Sequence, residues 1–428
     1  MEEIKYLIIG SSHAGLTAAE EIRIHDPAGS MIMVTMEDCL PYSPTILPYI
    51  VSGKVEEKQI YLRDKDYFKQ NQITFKTGLK LSKVDVSKSV VSFSDGSKLG
   101  YEKLLIATGS EPTLPSTPGL ADSGCLVLRT MSDAHKINAA AKRSKNAVIM
   151  GTGLVGMHAA EGLQEKGLDV EIIRGRRPAV LPNYFDKEAM NLVHQTFLDH
   201  GVKCDLNKQV SGVAKQKNGA IRVSINDGSH IDTELLIVGT GVRSRMDFFS
   251  SGSVAMDQGI LVDDMMKTSV NNIWAAGDVA QAREFFGGKQ ELNAILPDAF
   301  EQGKIAGMSM AGAVPEDGYG ANECYQGGLS MNTFNFYGNR SFSVGLSLEE
   351  DGGRYEIARL ANPVSCVYQK LVFEGNYLVG AIGINVTMDP GVLMNLIRRR
   401  VDLGARKSEF AVKPLDMSRR VMWESWRG

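Results

Sequence analysis

The stretch Tyr6-Leu-Ile-Ile-Gly-Ser-Ser-His-Ala-Gly15 governs how the rest of this chain is interpreted. Its apolar beginning, Tyr6 to Ile9, predicts a buried strand, and the residues after the stretch predict a helix. Gly10 and Gly15 allow a tight turn between the two. Such a turn presents backbone N–H groups at the positive end of the helix, which predicts a pyrophosphate site. In the usual Gly-x-Gly-x-x-Gly fingerprint the middle position is glycine, whereas here it is Ser12.

Size and composition limit the possible classes of protein. The chain has 428 residues, a formal net charge of −3 and 43% hydrophobic residues. This length predicts two or three domains, and the charge balance does not favour nucleic-acid binding. No apolar run is as long as a membrane span, and the acidic start Met1-Glu2-Glu3 differs from the basic start of a secretory signal. We therefore expect a cytoplasmic protein with no membrane span and no nucleic-acid partner.

The cysteines are dispersed, at Cys39, Cys125, Cys204, Cys324 and Cys366. Because no two form a Cys-x-x-Cys pair, the sequence predicts no redox disulfide motif, iron–sulfur cluster or other metal site in this chain. Cys39 stands near a functional loop, but packing filler is the favoured interpretation.

The opening pattern returns in fuller form later in the chain. Gly151, Gly153 and Gly156 supply all three fingerprint glycines between a predicted strand and a predicted helix, which is a strong dinucleotide signal. Each copy ends in an apolar strand followed by Thr-Gly, at Thr108-Gly109 and at Thr240-Gly241. The sequence therefore predicts two tandem copies of one nucleotide-binding plan.

Two acidic positions follow predicted strands. Glu37 is placed to hydrogen-bond an adenosine ribose, with Asp38 as the alternative, although a solvated loop carboxylate would look the same. Asp278 comes directly after Gly277 at the end of an apolar strand, where open α/β sheets bind their ligands. Between these positions, the proline-rich loop Leu40–Tyr49 is stiff and largely uncharged. It suits the wall of a flat apolar ligand, or a packed connection.

Taken in order, these runs resemble the FAD-dependent pyridine-nucleotide–disulfide oxidoreductase superfamily over residues 1 to about 390. The resemblance implies an α/β fold with two tandem Rossmann-like domains, one for FAD and one for NAD(P), and a C-terminal α+β interface domain. The implied boundaries are 1–112 and 248–325 for FAD, 113–247 for NAD(P), 326–405 for the interface domain and 406–428 for a basic tail.

The same resemblance implies which residues touch the cofactors. For FAD they are Gly10, Ser12, His13, Ala14, Gly15, Glu37, Pro44, Thr45, Thr108, Gly109, Gly277, Asp278 and Pro297. For the nicotinamide dinucleotide they are Gly151, Gly153, Leu154, Val155, Gly156 and Arg174, with Gly241 closing the second copy. His158 stands where many relatives carry glutamate, so it is either near the nicotinamide and flavin or packed on the helix surface.

More closely, several runs resemble the flavin subunits of NAD-linked phenylglyoxylate dehydrogenase and of tungsten-dependent aldehyde oxidoreductases. They include Ile8–Ala14, Leu40–Tyr49, Gly153–Glu161 and Asn293–Asp298. This branch implies an enzyme that passes electrons between iron–sulfur partner subunits and NAD. Thr45 occupies the position of the redox cysteine of NADH oxidases and coenzyme A disulfide reductases, and a threonine hydroxyl cannot form their disulfide or sulfenate.

The strand after Gly151 ends in Arg174, where an acid would favour NAD, and Arg176 and Arg177 follow it. Taken alone, these arginines favour the 2′-phosphate of NADP. The family resemblance favours NAD, and Glu171 lies on the same strand, so we expect NAD with NADP as the alternative.

Three other functions remain open on the sequence. The chain could be a stand-alone NAD(P)H oxidase or ferredoxin/rubredoxin reductase, a disulfide or persulfide reductase using Cys39, or a non-catalytic FAD-bound assembly subunit. Arg398-Arg399-Arg400 and the basic tail with Trp423 and Trp426 could dock an acidic partner or pack on their own domain. A final helix is expected from Gly391 to Arg400.

Overall fold

The computed structural model describes residues 3–175, 177–313 and 324–427. It divides into two compact units. The first contains Met1–Thr113, Arg129–His135 and Gly241–Gly328, and the second contains Leu114–Leu128, Lys136–Thr240 and Leu329–Gly428. The division by ligand into FAD, NAD(P) and interface domains stays a prediction.

The segment up to Thr113 contains β1 (Glu3–Ile9), α1 (His13–His25), β2 (Met31–Val34), a 3₁₀ turn (Pro44–Ile46), α2 (Leu47–Ser52), a second 3₁₀ turn (Glu57–Gln59), α3 (Lys65–Gln70), β3 (Ile73–Lys76), β4 (Leu81–Asp85), β5 (Val90–Phe93), β6 (Lys98–Ile106) and β7 (Ser110–Pro112). Its sheet has the order β3-β2-β1-β6-β5-β4. β1 runs parallel to β2 and β6, and Tyr6 to Ile9 are buried. The first predicted strand and helix are confirmed.

The next segment contains α4 (Met131–Ala141), β8 (Asn146–Met150), α5 (Leu154–Glu165), β9 (Asp169–Arg174), α6 (Lys187–Asp199), β10 (Lys203–Lys215), β11 (Ile221–Ile225), β12 (His230–Thr233) and β13 (Leu235–Val238). The sheet order is β12-β11-β10-β9-β8-β13, with β13, β8, β9 and β10 parallel. This sheet repeats the plan of the first one, as the tandem glycine motifs predict.

The third segment contains β14 (Val242–Ser244), β15 (Ile260–Leu261), β16 (Ile273–Ala275), β17 (Ala280–Arg283), β18 (Gln290–Glu291) and α7 (Leu296–Ala311). β16 pairs with β6 in parallel and so extends the first sheet. The turn Gly277-Asp278 follows β16 directly. The strand predicted before this turn is therefore confirmed at the carboxyl edge of the first sheet.

The last segment contains β19 (Met331–Phe336), β20 (Asn339–Gly345), β21 (Glu356–Asn362), a 3₁₀ turn (Pro363–Ser365), β22 (Val367–Glu374), β23 (Tyr377–Ile384), α8 (Pro390–Arg398), a 3₁₀ turn (Gly404–Arg406), α9 (Lys407–Val412) and α10 (Pro414–Arg427). The strands form an antiparallel sheet in the order β19-β20-β23-β22-β21. The expectation that α8 is the final helix is wrong. α10 forms because Met417, Val421 and Met422 repeat at helical spacing and are buried.

The predicted fold class is confirmed: two Rossmann-like sheets are followed by a C-terminal α+β region with an antiparallel sheet. The core of the first unit is built largely from β1, β2, β6, α1 and β16, and a separate apolar cluster fills the sheet of the second unit. Both arrangements leave the glycine turns at the carboxyl ends of parallel strands, where ligands of such sheets bind.

Candidate dinucleotide-binding sites

The first glycine turn has a backbone that only glycine can form. Gly10 has a φ of 119°, and a Cβ there would lie 2.0 Å from Ala107 O. A Cβ at Gly15 would lie 2.0 Å from Gly10 O. Ser12 is the N-cap of α1, but its side chain makes no capping hydrogen bond in the described structure. Because the Ser12 side chain does not cap α1, the backbone N–H groups in the first turn of α1 can donate to the phosphate oxygens of a dinucleotide.

Two further elements of the first unit meet this turn. A Cβ at Gly277 would lie 3.3 Å from Ala14 Cβ and 3.9 Å from Ala299 Cβ, so the Gly277-Asp278 turn, α1 and α7 converge. α7 begins next to this point with Pro297 in its first turn, and a Cβ at Gly303 would lie 2.5 Å from Ala14 O. Glycine and alanine are needed here because the two helices touch through their backbones. We call this convergence the cradle.

Asp278 is held at the edge of the cradle. Ser110 Oγ and Arg129 Nη2 each donate to Asp278 Oδ2 at 2.9 Å, and Arg129 Nε donates to Ser110 O at 3.1 Å. Gly109 is required beside this pair, because its φ is 65° and a Cβ would lie 3.2 Å from Arg129 Nη2. Arg129 was missed by the sequence analysis, since it follows a linker-like stretch and belongs to no glycine motif.

A second, partly buried cation, Arg245, lies in the same region. Burial lowers the pKa of the Arg245 guanidinium, and the neighbouring charge of Arg129 lowers it further. The backbone of Arg245 is fixed by Thr108, whose Oγ1 donates to Arg245 O at 3.0 Å. Arg245 and Arg129 therefore place positive charge beside Thr108 and Gly109, which suits an anionic ligand such as a dinucleotide. Arg245 was also missed, because nothing in its local sequence marks it.

Glu37 already has partners within the first unit. Tyr42 OH lies 2.9 Å from Oε1 and 2.7 Å from Oε2 of Glu37, and Met131 N donates to Oε2 at 3.0 Å. These donors orient the carboxylate just after β2 and leave it further capacity as an acceptor. The sequence did not indicate Met131, and it indicated Tyr42 only as part of the Leu40–Tyr49 loop, not as a partner of Glu37. Asp38, the alternative ribose acid, instead accepts from Thr77 Oγ1 at 3.0 Å.

His13 lies in the first turn of α1 and is 8% exposed. Its ring centroid lies 4.7 Å from that of Phe300 on α7. Its Nε2 is buried and has no hydrogen-bond partner in the part of the chain that the structure describes. Burial and then the charge of Arg63 lower the pKa of His13, which makes it neutral at pH 7. A neutral imidazole with an open ring nitrogen fits a polar ligand group at the cradle.

The loop after β2 does not supply a reactive thiol. Thr45 is exposed, and its Oγ1 lies 2.7 Å from Ser43 Oγ, next to Pro44. Burial, together with the charges of Glu37 and neighbouring acids, raises the pKa of the Cys39 thiol to about 12. A thiol of this acidity is almost entirely protonated at pH 7, and the thiolate is the nucleophile.

The second glycine turn, in the second unit, has the same construction. A Cβ at Gly151, whose φ is 123°, would lie 2.2 Å from Gly239 O, and one at Gly156 would lie 2.3 Å from Gly151 O. A Cβ at Gly153, the N-cap of α5, would meet nothing within 4 Å. The first and third glycines are therefore needed for the turn, and the middle one leaves open space for a phosphate. Leu154 and Val155 follow it, with Val155 38% exposed.

Arg174 ends β9 next to this turn, since Gly151 N donates to Ile173 O at 2.9 Å. Arg174 Nη2 donates to Gln209 Oε1 at 3.2 Å. Glu171 is three residues back on β9 and pairs with Lys208 Nζ at 2.9 Å. Three strand residues span about 10 Å, so Glu171 lies well short of the strand end. Arg177 Nη1 donates to Asn183 Oδ1 at 3.2 Å, and Arg176 lies outside the described residues.

His158 is packed within the second unit. Its ring centroid lies 4.5 Å from that of Phe336, and its Nδ1 lies 3.5 Å from Glu161 Oε2. Its role near the nicotinamide stays a prediction. Gly241, which closes the second sequence copy, belongs to the first compact unit, where its carbonyl accepts from Thr113 N at 3.0 Å.

Over residues 3–175, 177–313 and 324–427, no helix is long and apolar enough to cross a membrane. In the same ranges no group of three or more histidine, cysteine or acidic side chains is placed to hold a metal ion.

Comparison with known proteins establishes the class. The family model for pyridine nucleotide-disulphide oxidoreductases matches residues 4–303, and this chain belongs to that family. The family binds FAD and NAD(P)H, and the chain is accordingly an NAD(P)H-dependent flavin oxidoreductase.

Among curated proteins, the chain is 41% identical over 428 residues to the epsilon subunit of NADH-dependent phenylglyoxylate dehydrogenase from Aromatoleum evansii, covering 100% of this chain and 99% of that one. Among solved structures, it is similar to putidaredoxin reductase in its covalent complex with putidaredoxin, with a TM-score of 0.82, 21% identity and 94% of each chain covered. It is also similar to the water-forming NADH oxidase from Lactobacillus brevis bound to NADH, with a TM-score of 0.82, 22% identity, and 93% of this chain and 91% of that chain covered.

Proposed function

We propose that this chain is the FAD-containing subunit of a larger oxidoreductase, and that it passes electrons between iron–sulfur partner subunits and NAD(H). The observation that carries the proposal is the pair of glycine turns, each with a backbone that a side chain would block, in a chain whose candidate thiol is unreactive. The full-length likeness to a named dehydrogenase subunit supports the subunit role.

When bound, FAD supplies the chemistry, because its N5 exchanges hydride with nicotinamide C4 and its reduced ring can release electrons singly. The residues of the chain hold and orient the two dinucleotides. Gly10, Ser12 and Gly15 receive the FAD pyrophosphate, Glu37 the adenosine ribose, and Asp278 with Arg129 the ribityl chain. No cysteine is needed as a nucleophile, in keeping with Thr45 and with the raised pKa of the Cys39 thiol.

We propose NAD(H) as the nicotinamide partner, because the full-length relative is named as NADH-dependent. Gly151, Gly153 and Gly156 receive its pyrophosphate. Arg174 ends β9 where an acid would bind the 2′-hydroxyl, and Glu171 is paired with Lys208. Because a guanidinium donates hydrogen bonds to a 2′-phosphate, we expect measurable but weaker activity with NADPH.

We propose that the one-electron partner is a separate polypeptide, since the cysteine spacing of this chain matches no iron–sulfur cluster motif. The C-terminal helix α10 offers a docking surface of suitable chemistry. Trp423 is 55% exposed on it, and Arg419 and Arg420 are exposed nearby in sequence. Exposed aromatic and arginine side chains are enriched at interfaces. Trp426 belongs to the same helix, but its side chain lies outside the described part.

Purification from the native source tests the proposal. The chain should co-purify with polypeptides that carry iron–sulfur clusters, and NADH should reduce those clusters only when the chain holds FAD. A yellow protein that purifies alone and reduces a soluble ferredoxin or rubredoxin would indicate the stand-alone reductase. FAD-loaded protein that reduces no artificial dye with NADH would indicate a non-catalytic assembly subunit.

A further inference from the structure

A buried carboxylate lies below the cradle and has no part in the function proposed so far. Asp298 is in the first turn of α7 and is 0% exposed. It lies between Pro297 and Ala299, at the point where α7 meets the Gly277-Asp278 turn. Burial of a carboxylate costs free energy unless hydrogen-bond donors compensate it. A carboxylate at this position therefore requires such donors, and its presence calls for a functional explanation.

Two side chains compensate Asp298. Asn293 Nδ2 donates to Oδ2 at 2.5 Å, and Tyr325 OH donates to the same oxygen at 3.0 Å. A Cβ at Gly328 would lie 2.7 Å from Asp298 Oδ2, so the backbone can approach this oxygen so closely only because residue 328 is glycine. These donors, and the position at the positive end of α7, favour the ionised carboxylate. Burial and then the charge of Asp298 raise the pKa of Tyr325, so the Tyr325 hydroxyl stays protonated and can donate to this carboxylate.

A chain of hydrogen bonds links this carboxylate to the backbone of the cradle. Gln302 Nε2 donates to Tyr325 OH at 3.2 Å, and Gln302 Oε1 accepts from Gly277 N at 2.8 Å. Gln302 is 2% and Tyr325 1% exposed, so the bonds that join Gln302, Tyr325 and Asp298 are shielded from water. Where water is excluded the local dielectric is low, so a buried charge interacts strongly with the groups around it.

We propose that Asp298 lowers the reduction potential of the bound flavin. Its negative charge is buried next to the Gly277-Asp278 turn, to which the ribityl chain is assigned above, so it disfavours the addition of electrons to the flavin ring attached to that chain. It acts through space and through the orientation of the Gly277 N–H by Gln302, which makes it a positioning residue and not a catalytic one. The inference rests on the proposed binding of FAD in the first unit.

Potentiometric titration of the FAD-loaded chain tests it. Asp298→Asn removes the charge with little change in shape, and should favour flavin reduction at least tenfold, which is about 30 mV for a two-electron couple. Gln302→Glu adds a charge to the same chain of bonds and should shift the potential in the opposite direction. Asp66→Asn is the matched control, because Asp66 is also in the first turn of a helix of this unit but is exposed.

The expected shifts in reduction potential for Asp298→Asn and Gln302→Glu have opposite signs. Either variant alone is enough for the test if the other fails to fold or to retain FAD. Equilibria within threefold of the wild type, about 14 mV, for every folded variant would overturn the inference. A shift of equal size in Asp66→Asn would overturn it as well. If the wild-type chain binds no FAD, the proposed function falls and this inference falls with it. FAD binding with unchanged potentials would remove this inference alone.

Discussion

Arg129 Nη2 lies 2.9 Å from Asp278 Oδ2, which joins a residue from the linker after the first sheet to the carboxylate at the end of β16. Removal of the guanidinium would leave Asp278 Oδ2 with the Ser110 hydroxyl as its donor and would remove positive charge from the edge of the cradle. We expect Arg129→Ala to weaken FAD binding about tenfold, since charge-assisted bonds are among the strong ones. Equilibrium dialysis of the apoprotein with FAD measures this.

Arg222→Ala is the matched control for Arg129→Ala. Arg222 forms the same kind of pair with Asp232, at 2.8 Å, on an exposed hairpin of the second unit. Exposed pairs contribute little, so FAD affinity should be unchanged in this variant. Equal losses in both variants would contradict a specific role for Arg129.

Gly151 and Gly153 should respond differently to alanine. Gly151→Ala would place Cβ 2.2 Å from a backbone carbonyl, so the second unit should unfold at lower temperature. At Gly153 the new methyl group would meet no protein atom within 4 Å, so the melting temperature should be unchanged. The KM for NADH should rise, because the methyl group would occupy the space assigned to the phosphate. Thermal unfolding and steady-state kinetics separate the two. An unchanged KM in folded Gly153→Ala would argue against a dinucleotide at this turn.

Cys39→Ser should keep full NADH-dependent dye reduction. With a pKa of about 12 for the Cys39 thiol, the thiolate is about one part in 10⁵ at pH 7. Cys204→Ser serves as the control, because burial likewise raises the pKa of that thiol to about 12. A tenfold loss of rate in Cys39→Ser alone would revive a persulfide or disulfide reductase.

Arg174→Gln should change dinucleotide selectivity. Loss of the guanidinium should lower kcat/KM for NADPH about tenfold, the usual effect of one charge-assisted contact, and leave NADH within twofold. Lys203→Gln is the control, since Lys203 forms an exposed pair with Asp169 on the same sheet. Parallel losses with both dinucleotides in Arg174→Gln would indicate a role in folding instead.

Local patterns were sufficient for the parts of the molecule that are built locally. Gly10 and Gly151 could be recognised because a strand, a turn and a helix are contiguous in sequence. Arg129 could not, because it reaches Asp278 only through tertiary folding. The pairing of Glu171 with Lys208 was hidden for the same reason, since β9 and β10 are far apart in sequence. α10 was missed because its polar residues mask the few buried positions that repeat at helical spacing.

Anaerobic titration of the FAD-loaded chain with NADH tests the central claim, a flavin that exchanges hydride without a thiol partner. The flavin band should bleach fully with one equivalent of NADH per FAD, because the proposed mechanism uses the flavin alone as the two-electron acceptor. A requirement for two equivalents would reveal a redox-active cysteine pair and contradict the account. So would fast bleaching by NADPH alone, or no bleaching with either dinucleotide.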